Sequence, residues 1–279
     1  MRIHHINCGT MCPYGGHFFD GATPGVGPAR LTCHCLLVET GDQLVLVDTG
    51  FGTRDVRDPG RRIPGLFLGL NRPRFDPQET AVAQIRRLGF DPRDVRHIVL
   101  THLDFDHAGG MDDFPHATVH LFEVESRTAR QRRGPIARRR FRPQQWQDGG
   151  AWEEYAVSGE RWFGFRAVRD LKGLPPEILM IPLPGHTAGH CGVAVQDESG
   201  WALLAGDAYF NHRELDPVRP YGPPLARAYQ TFLEVDREKR LENQARLRDL
   251  VREHRADVDI FCSHDPHDMD RFGAATRPS

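Results

Sequence analysis

Nothing in the 279 residues approaches the roughly 20-residue apolar run that a membrane-spanning helix needs. The first residues, Met1-Arg2-Ile3-His4-His5, lack the apolar segment of a secretory leader, so the cytoplasm is the expected location. An excess of one charge is missing as well. The formal net charge of -2 argues against a general nucleic-acid binder. Cysteine is sparse, with six residues at 8, 12, 33, 35, 191 and 262, which are expected to be reduced thiols in that compartment. Cys8, Cys12, Cys33 and Cys35 do not have the strong ligand spacing of a structural zinc site. A chain of this length buries a sizeable core without covalent staples, and no internal repeat is clear enough to use.

What the chain does have is a dense polar stretch, Thr101-His102-Leu103-Asp104-Phe105-Asp106-His107-Ala108-Gly109-Gly110. It comes after an apolar run, His97-Ile98-Val99-Leu100, that reads as a buried strand. Four metal-capable side chains then fall at positions i, i+2, i+4 and i+5. On a helix they would fan around the axis, whereas a short loop at a strand end can aim them at one point. The mixture of imidazole and carboxylate suits zinc, iron or manganese.

Other strand-like runs end in the same manner. Gln43 to Asp48 closes a hairpin with Leu31 to Glu39 through Thr40-Gly41-Asp42. Asp48, at the end of that run, is either a turn former or a group that orients a metal ligand. Glu177 to Leu183 leads into Pro184-Gly185-His186-Thr187-Ala188-Gly189-His190, Trp201 to Leu204 into Ala205-Gly206-Asp207, and Val258 to Cys262 into Ser263-His264-Asp265. Helical spacing is predicted over Glu79 to Leu88 and over residues 237–255, where Leu241, Ala245, Leu247, Leu250 and Val251 form the apolar face. Strand, helix and strand therefore alternate, as in an α/β layered fold. A Gly- and Pro-rich loop is expected over 12–30, and no clear period is visible over 53–76. Residues 126–176 look like an insertion or lid. Its arginines at 127, 130, 132, 133, 138, 139, 140 and 142 are read as a solvated face in preference to a basic rim.

Together, the Leu46-Val47-Asp48-Thr49-Gly50 strand end, the Thr101–Gly110 loop, Pro184–His190, Gly206-Asp207 and Ser263-His264 resemble the metallo-β-lactamase superfamily of binuclear metal hydrolases. The likeness covers nearly the whole chain. It implies a single domain over 1–279 with an αββα sandwich of two mixed β-sheets flanked by helices, and a site at one sheet edge. It also implies that His102, Asp104 and His186 bind a first divalent ion, that Asp106, His107 and His264 bind a second, and that Asp207 bridges the two. Asp48 would stand behind the ligands. Asp104 departs from the pattern, which usually has histidine there; zinc is the expected ion, with iron or manganese also compatible with the harder ligand.

In organisation the chain most resembles the N-acyl-homoserine-lactone lactonases. That likeness implies hydrolysis of a small-molecule ester, a lactone, by a metal-activated hydroxide, with Asp106 moving the proton. Tyr209 is expected either to donate a hydrogen bond to the oxyanion or to be a core residue. The alternatives are a hydroxyacylglutathione thioesterase, a di-iron redox protein and a nucleic-acid-processing hydrolase. A small-molecule partner and a homodimer are expected, with no membrane partner.

Overall fold

The computed structural model describes residues 1–41, 43–147, 150–165 and 169–273, so Asp42 of the expected hairpin turn lies outside the described residues. Two sheets pack face to face. The first has six strands in the order β1 to β6: β1 (Arg2–Met11), β2 (Leu31–Glu39), β3 (Leu44–Val47), β4 (Val95–Val99), β5 (Thr118–Phe122) and β6 (Trp152–Tyr155). The second contains β7 (Arg169–Asp170), β8 (Ile178–Pro182), β9 (Cys191–Asp197), β10 (Gly200–Leu204) and β11 (Val258–Phe261), in the order β11-β10-β9-β8-β7. Both sheets are mixed: β1, β2 and β3 pair antiparallel, β3 to β6 run parallel, and β11 joins β10 in parallel.

Side-chain alternation makes the layers. On β2, Leu36 and Val38 pack between the sheets with Val45, Val47, Met180, Val193 and Phe261. Cys35 and Leu37 face the opposite way, into a cluster with Leu46, Ile98 and Ile85. Ile85 belongs to helix α1 (Ala81–Arg87), which starts where the Thr80 hydroxyl accepts from the Ala83 amide. The outer face of the second sheet is covered by the long helix Arg237–His254, whose Leu247 and Leu250 are buried against Leu203 and Ile260. Leu241, expected on that apolar face, is instead exposed. The result is the αββα sandwich, and among the described residues no helix is long and apolar enough to cross a membrane.

The expected insertion at 126–176 contributes a strand to each sheet. Its β6 extends the first sheet through β5, and its β7 pairs with β8 in the second. Three short helices, Thr53–Arg57, Pro59–Arg62 and Gly65–Asn71, occupy the stretch that showed no period, because none is long enough to display one. The loop 12–30 holds a one-turn helix, His17–Asp20, and is tied by Asp20, which accepts from the Ala22, Thr23 and Arg30 amides.

Strand polarity gathers the polar strand ends. Strands β8, β10 and β11 run parallel to one another through the antiparallel β9, and β3 and β4 run parallel in the other sheet. Their C-terminal ends deliver Asp48, His102, His186, Asp207 and His264 to one edge of the sandwich.

Candidate metal centre

The loop after β4 turns at once into a short helix, α2 (Phe105–Ala108), whose Asp106 and His107 are buried. His107 Nε2 lies 3.3 Å from Asp207 Oδ1, and His264 Nε2 lies 3.1 Å from the same oxygen. Asp106 Oδ2 is 3.7 Å from His264 Nε2. On the other side, His186 Nε2 is 3.2 Å and His102 Nε2 is 4.0 Å from Asp207 Oδ2. Asp104 Oδ2 sits 3.3 Å from His102 Nε2 and 3.0 Å from His186 Nε2. Two triads therefore share one carboxylate: His102, His186 and Asp207, and His107, Asp207 and His264. Cys33 approaches Asp106 and His264 from β2.

Three of the four triad imidazoles are aimed from behind. His107 Nδ1 meets Asp48 Oδ2 at 2.9 Å, His102 Nδ1 meets the Thr101 hydroxyl at 2.9 Å, and His264 Nδ1 donates to the Thr32 carbonyl at 2.7 Å. Their Nε2 atoms consequently face the shared carboxylate. His190 is not part of either triad. Its Nδ1 donates to the Leu183 carbonyl and its Nε2 accepts the Asp207 amide at 2.9 Å, which seats the central residue. Gly206 is required just before it: with φ at 55°, a Cβ there would come within 2.6 Å of His190 Nε2. The buried Glu125 carboxylate, which no sequence pattern singles out, ties both rim loops together. It accepts from the Leu103 amide, the Thr187 hydroxyl and the Gly189 amide.

The electrostatics fit a bound cation. Among the described residues, His102 Nε2, His107 Nε2 and Asp207 Oδ1 are buried without a hydrogen-bond partner. Burial opposes ionisation of Asp207, but His264, His107 and His186 outweigh it and hold its carboxyl well below the usual carboxylate range. Burial likewise disfavours a proton on His107, yet Asp207 and Asp48 push its pKa well above the ordinary histidine value. Protons are thus retained where a divalent ion would neutralise the same carboxylates. His102 is kept neutral by burial and by the His107 charge, so its lone pair is available. Burial raises the pKa of Asp106.

Tyr209 does not join these residues. The chain after Asp207 turns instead of extending, and Tyr209 falls into the core with Leu203, Leu247 and Ile260. Its hydroxyl donates to Asp268 Oδ2 at 3.4 Å. A pocket lined by Asp104, Asp106, Asp207 and His264 is bordered instead by Tyr229, on helix α3 (Pro224–Leu233), and by Phe210. Tyr229 Oη accepts from Asn71 Nδ2 at 2.8 Å. Helix α3 was not expected from the sequence, although Pro223-Pro224 before an amphipathic run is a usable start signal. Arg140, one of the arginines read as solvated, is buried within the pocket.

Asp268, beneath Tyr209, has its own signature. Burial, then the Asp265 charge, pushes its carboxyl up to about 7. In the unfolded chain the group ionises near ~4, so its contribution to folding is greatest at the acid end and is lost as pH rises through that interval. Asp268→Asn should therefore lose less melting temperature than the parent as pH rises from about 4 to about 7. Parallel slopes in a thermal-melt series would refute this.

A sequence profile described as the metallo-beta-lactamase superfamily matches residues 28–252. The chain belongs to the metallo-β-lactamase superfamily. It is 44% identical over 266 residues to a probable metallo-hydrolase of Mycobacterium tuberculosis, covering 95% of this chain and 81% of that protein. It is 26% identical over 239 residues to an N-acyl homoserine lactonase of Bacillus thuringiensis, covering 85% of this chain and 82% of that one. A solved N-acyl homoserine lactone hydrolase, with N-hexanoyl-L-homoserine bound at its catalytic metal centre, shares the fold with a TM-score of 0.71 at 23% identity, covering 96% of this chain and 95% of that one. As a superfamily member with these relatives, the chain is a metal-dependent hydrolase.

Proposed function

We propose that the enzyme opens a lactone carrying an apolar substituent, using divalent ions held by His102, Asp104, Asp106, His107, His186, Asp207 and His264. The observation that carries this reading is a pocket with mostly apolar walls whose lining includes Asp104, Asp106, Asp207 and His264, with Asp207 shared by the two triads. Met11, Leu31, Phe67, Phe105 and Phe210 line its depth, and the exposed Leu66, Leu70, Ile136 and Phe232 line its mouth. A hydrocarbon chain loses water there at a gain of roughly 0.8 kcal/mol per buried methylene.

Bound at these residues, zinc or a similar divalent ion lowers the pKa of water and polarises a carbonyl. The protein's own part is to aim and to move protons. Asp106, which lines the pocket beside His264, takes the proton released at the nucleophile and returns it to the leaving oxygen of the ring. Tyr229 receives the Asn71 N–H, which leaves its own hydroxyl hydrogen free to point at the substrate. It stabilises the developing oxyanion.

The test is hydrolysis of a lactone panel of increasing acyl length by metal-replete protein, monitored by proton release. Turnover with kcat/KM rising along the series supports the reading, and failure to open any lactone refutes it. Tyr229→Phe is expected to lower kcat about 100-fold while leaving metal content unchanged. Unaltered kcat would remove Tyr229 from the chemistry.

A further inference from the structure

Of the arginines between 127 and 142, Arg140 alone among the described residues is buried. It closes the helix Gly134–Arg140, and its guanidinium enters the centre as a fork. Nε donates to Asp104 Oδ1 at 2.5 Å and Nη2 to Asp104 Oδ2 at 2.6 Å. Nη2 also meets His186 Nε2 at 2.5 Å. Nη1 is fixed on the Leu233 carbonyl at 2.7 Å and on the His186 carbonyl at 3.2 Å. This is a built arrangement, and it reaches the centre through the residue that departs from the superfamily pattern.

The contacts bear on only one triad. A neutral imidazole nitrogen has one lone pair, which cannot accept an N–H and bind a cation at once. Asp104 Oδ2 has a second lone pair, but it faces a fixed positive charge. The guanidinium therefore opposes a divalent ion in the His102/His186 half by occupancy and by repulsion. Among the described residues, the His107/His264 half has no such rival. Among the described residues, His107 Nε2 and Asp207 Oδ1 carry no hydrogen bond there, whereas in the first half His102 Nε2 is likewise unbonded but His186 Nε2 is engaged by Arg140.

We propose that Arg140 is a resident competitor for the first ion, so that the centre binds one divalent ion tightly at Asp106, His107, Asp207 and His264 and a second one weakly, after the guanidinium leaves His186. The proposal rests on the metal-centre reading above and adds an order of filling to it. It assigns Asp104 a double role, as anchor of Arg140 when the half-site is unfilled and as ligand when it is filled. Arg140 is thus a positioning residue, acting through Asp104 and His186.

The test is a competition titration of the metal-stripped protein with Zn²⁺ against a chromophoric chelator. Wild type should show one tight and one weak ion. Arg140→Met should tighten the weak ion by about tenfold to 100-fold and leave the tight one unchanged. Arg140→Lys, which keeps the charge but not the fork, should fall between them. An independent arm needs no variant: with one equivalent of Mn²⁺, wild type should give the paramagnetic resonance spectrum of isolated ions, with no spin-coupled pairs. Two ions of equal affinity, coupled pairs at one equivalent, or an Arg140→Met weak site unchanged in affinity would each overturn the proposal. Absence of any tight ion would overturn the metal-centre reading together with it, and so is distinguishable from failure of the filling order alone.

Discussion

Replacing Asp207 by alanine should deprive both triads of their common member at once. Four imidazoles surround this carboxylate, with His107, His186 and His264 between 3.1 and 3.3 Å from it and His102 at 4.0 Å. Its folded environment favours the charged form despite burial, because His264, His107 and His186 stabilise the anion. Without that charge, neighbouring cations repel each other, and an ion at either triad loses its negative partner. Metal content should fall below one ion per chain, and kcat/KM should fall on the order of 1,000-fold or more, as for a residue that other catalytic groups depend on. Elemental analysis and lactone turnover on one sample, with circular dichroism to verify folding, check both. Asp207→Asn keeps the shape without the charge and should retain more structure but little more activity. Full metal occupancy in the alanine variant would remove Asp207 as the bridge.

Asp48→Ala should act on the fold and the site together. The buried carboxylate accepts from the Thr101 amide at 2.8 Å, the Thr101 hydroxyl at 2.8 Å and His107 Nδ1 at 2.9 Å. Removing it strands buried donors, at a cost of about 1–3 kcal/mol for an unsatisfied group. A fall of several degrees in melting temperature is expected, with a roughly tenfold to 100-fold loss of metal affinity because His107 is no longer aimed. The backbone adds a discriminating control. Asp48 has φ at 55°, a left-handed conformation that is unfavourable for alanine and easy for glycine. Asp48→Gly loses the same contacts and should be more stable than Asp48→Ala by about 1 kcal/mol. Equal stabilities would show that this backbone strain does not matter, and unchanged metal binding would show that Asp48 does not orient His107.

The α/β layering and the polar strand ends were legible because both arise from local rules, whereas the αββα sandwich was implied by the family resemblance. Apolar runs such as Leu44–Val47 and Ile178–Pro182 mark buried strands, and each hands a polar residue to the loop beyond it. Pattern says less where direction is decided by a turn. Tyr209 and Phe210 are adjacent, and only the fold reveals that Phe210 meets the pocket while Tyr209 meets Asp268. Composition says less again. Eight arginines in one segment look alike in sequence, and Arg140 turns inward because Asp104 and the Leu233 carbonyl, distant in sequence, supply its partners. Glu125 was invisible for the same reason, since two of its three partners lie beyond residue 180.

Each triad takes one member from the first sheet's loop, His102 or His107, and two from the second sheet, His186 with Asp207 or Asp207 with His264. Ions held there would act as rivets between two halves made at different times. As the chain emerges from the ribosome, one triad is complete in sequence once residue 207 has been made, and the other waits for residue 264. A nascent chain shorter than that lacks the second triad, so tight metal uptake would mark the docking of β11. In the finished protein, free metal would add a stabilisation of RT ln(1 + [M]/Kd), concentrated on one seam of the sandwich. Chelation should therefore loosen that edge first, while the strands at the far edge keep their protection from hydrogen exchange.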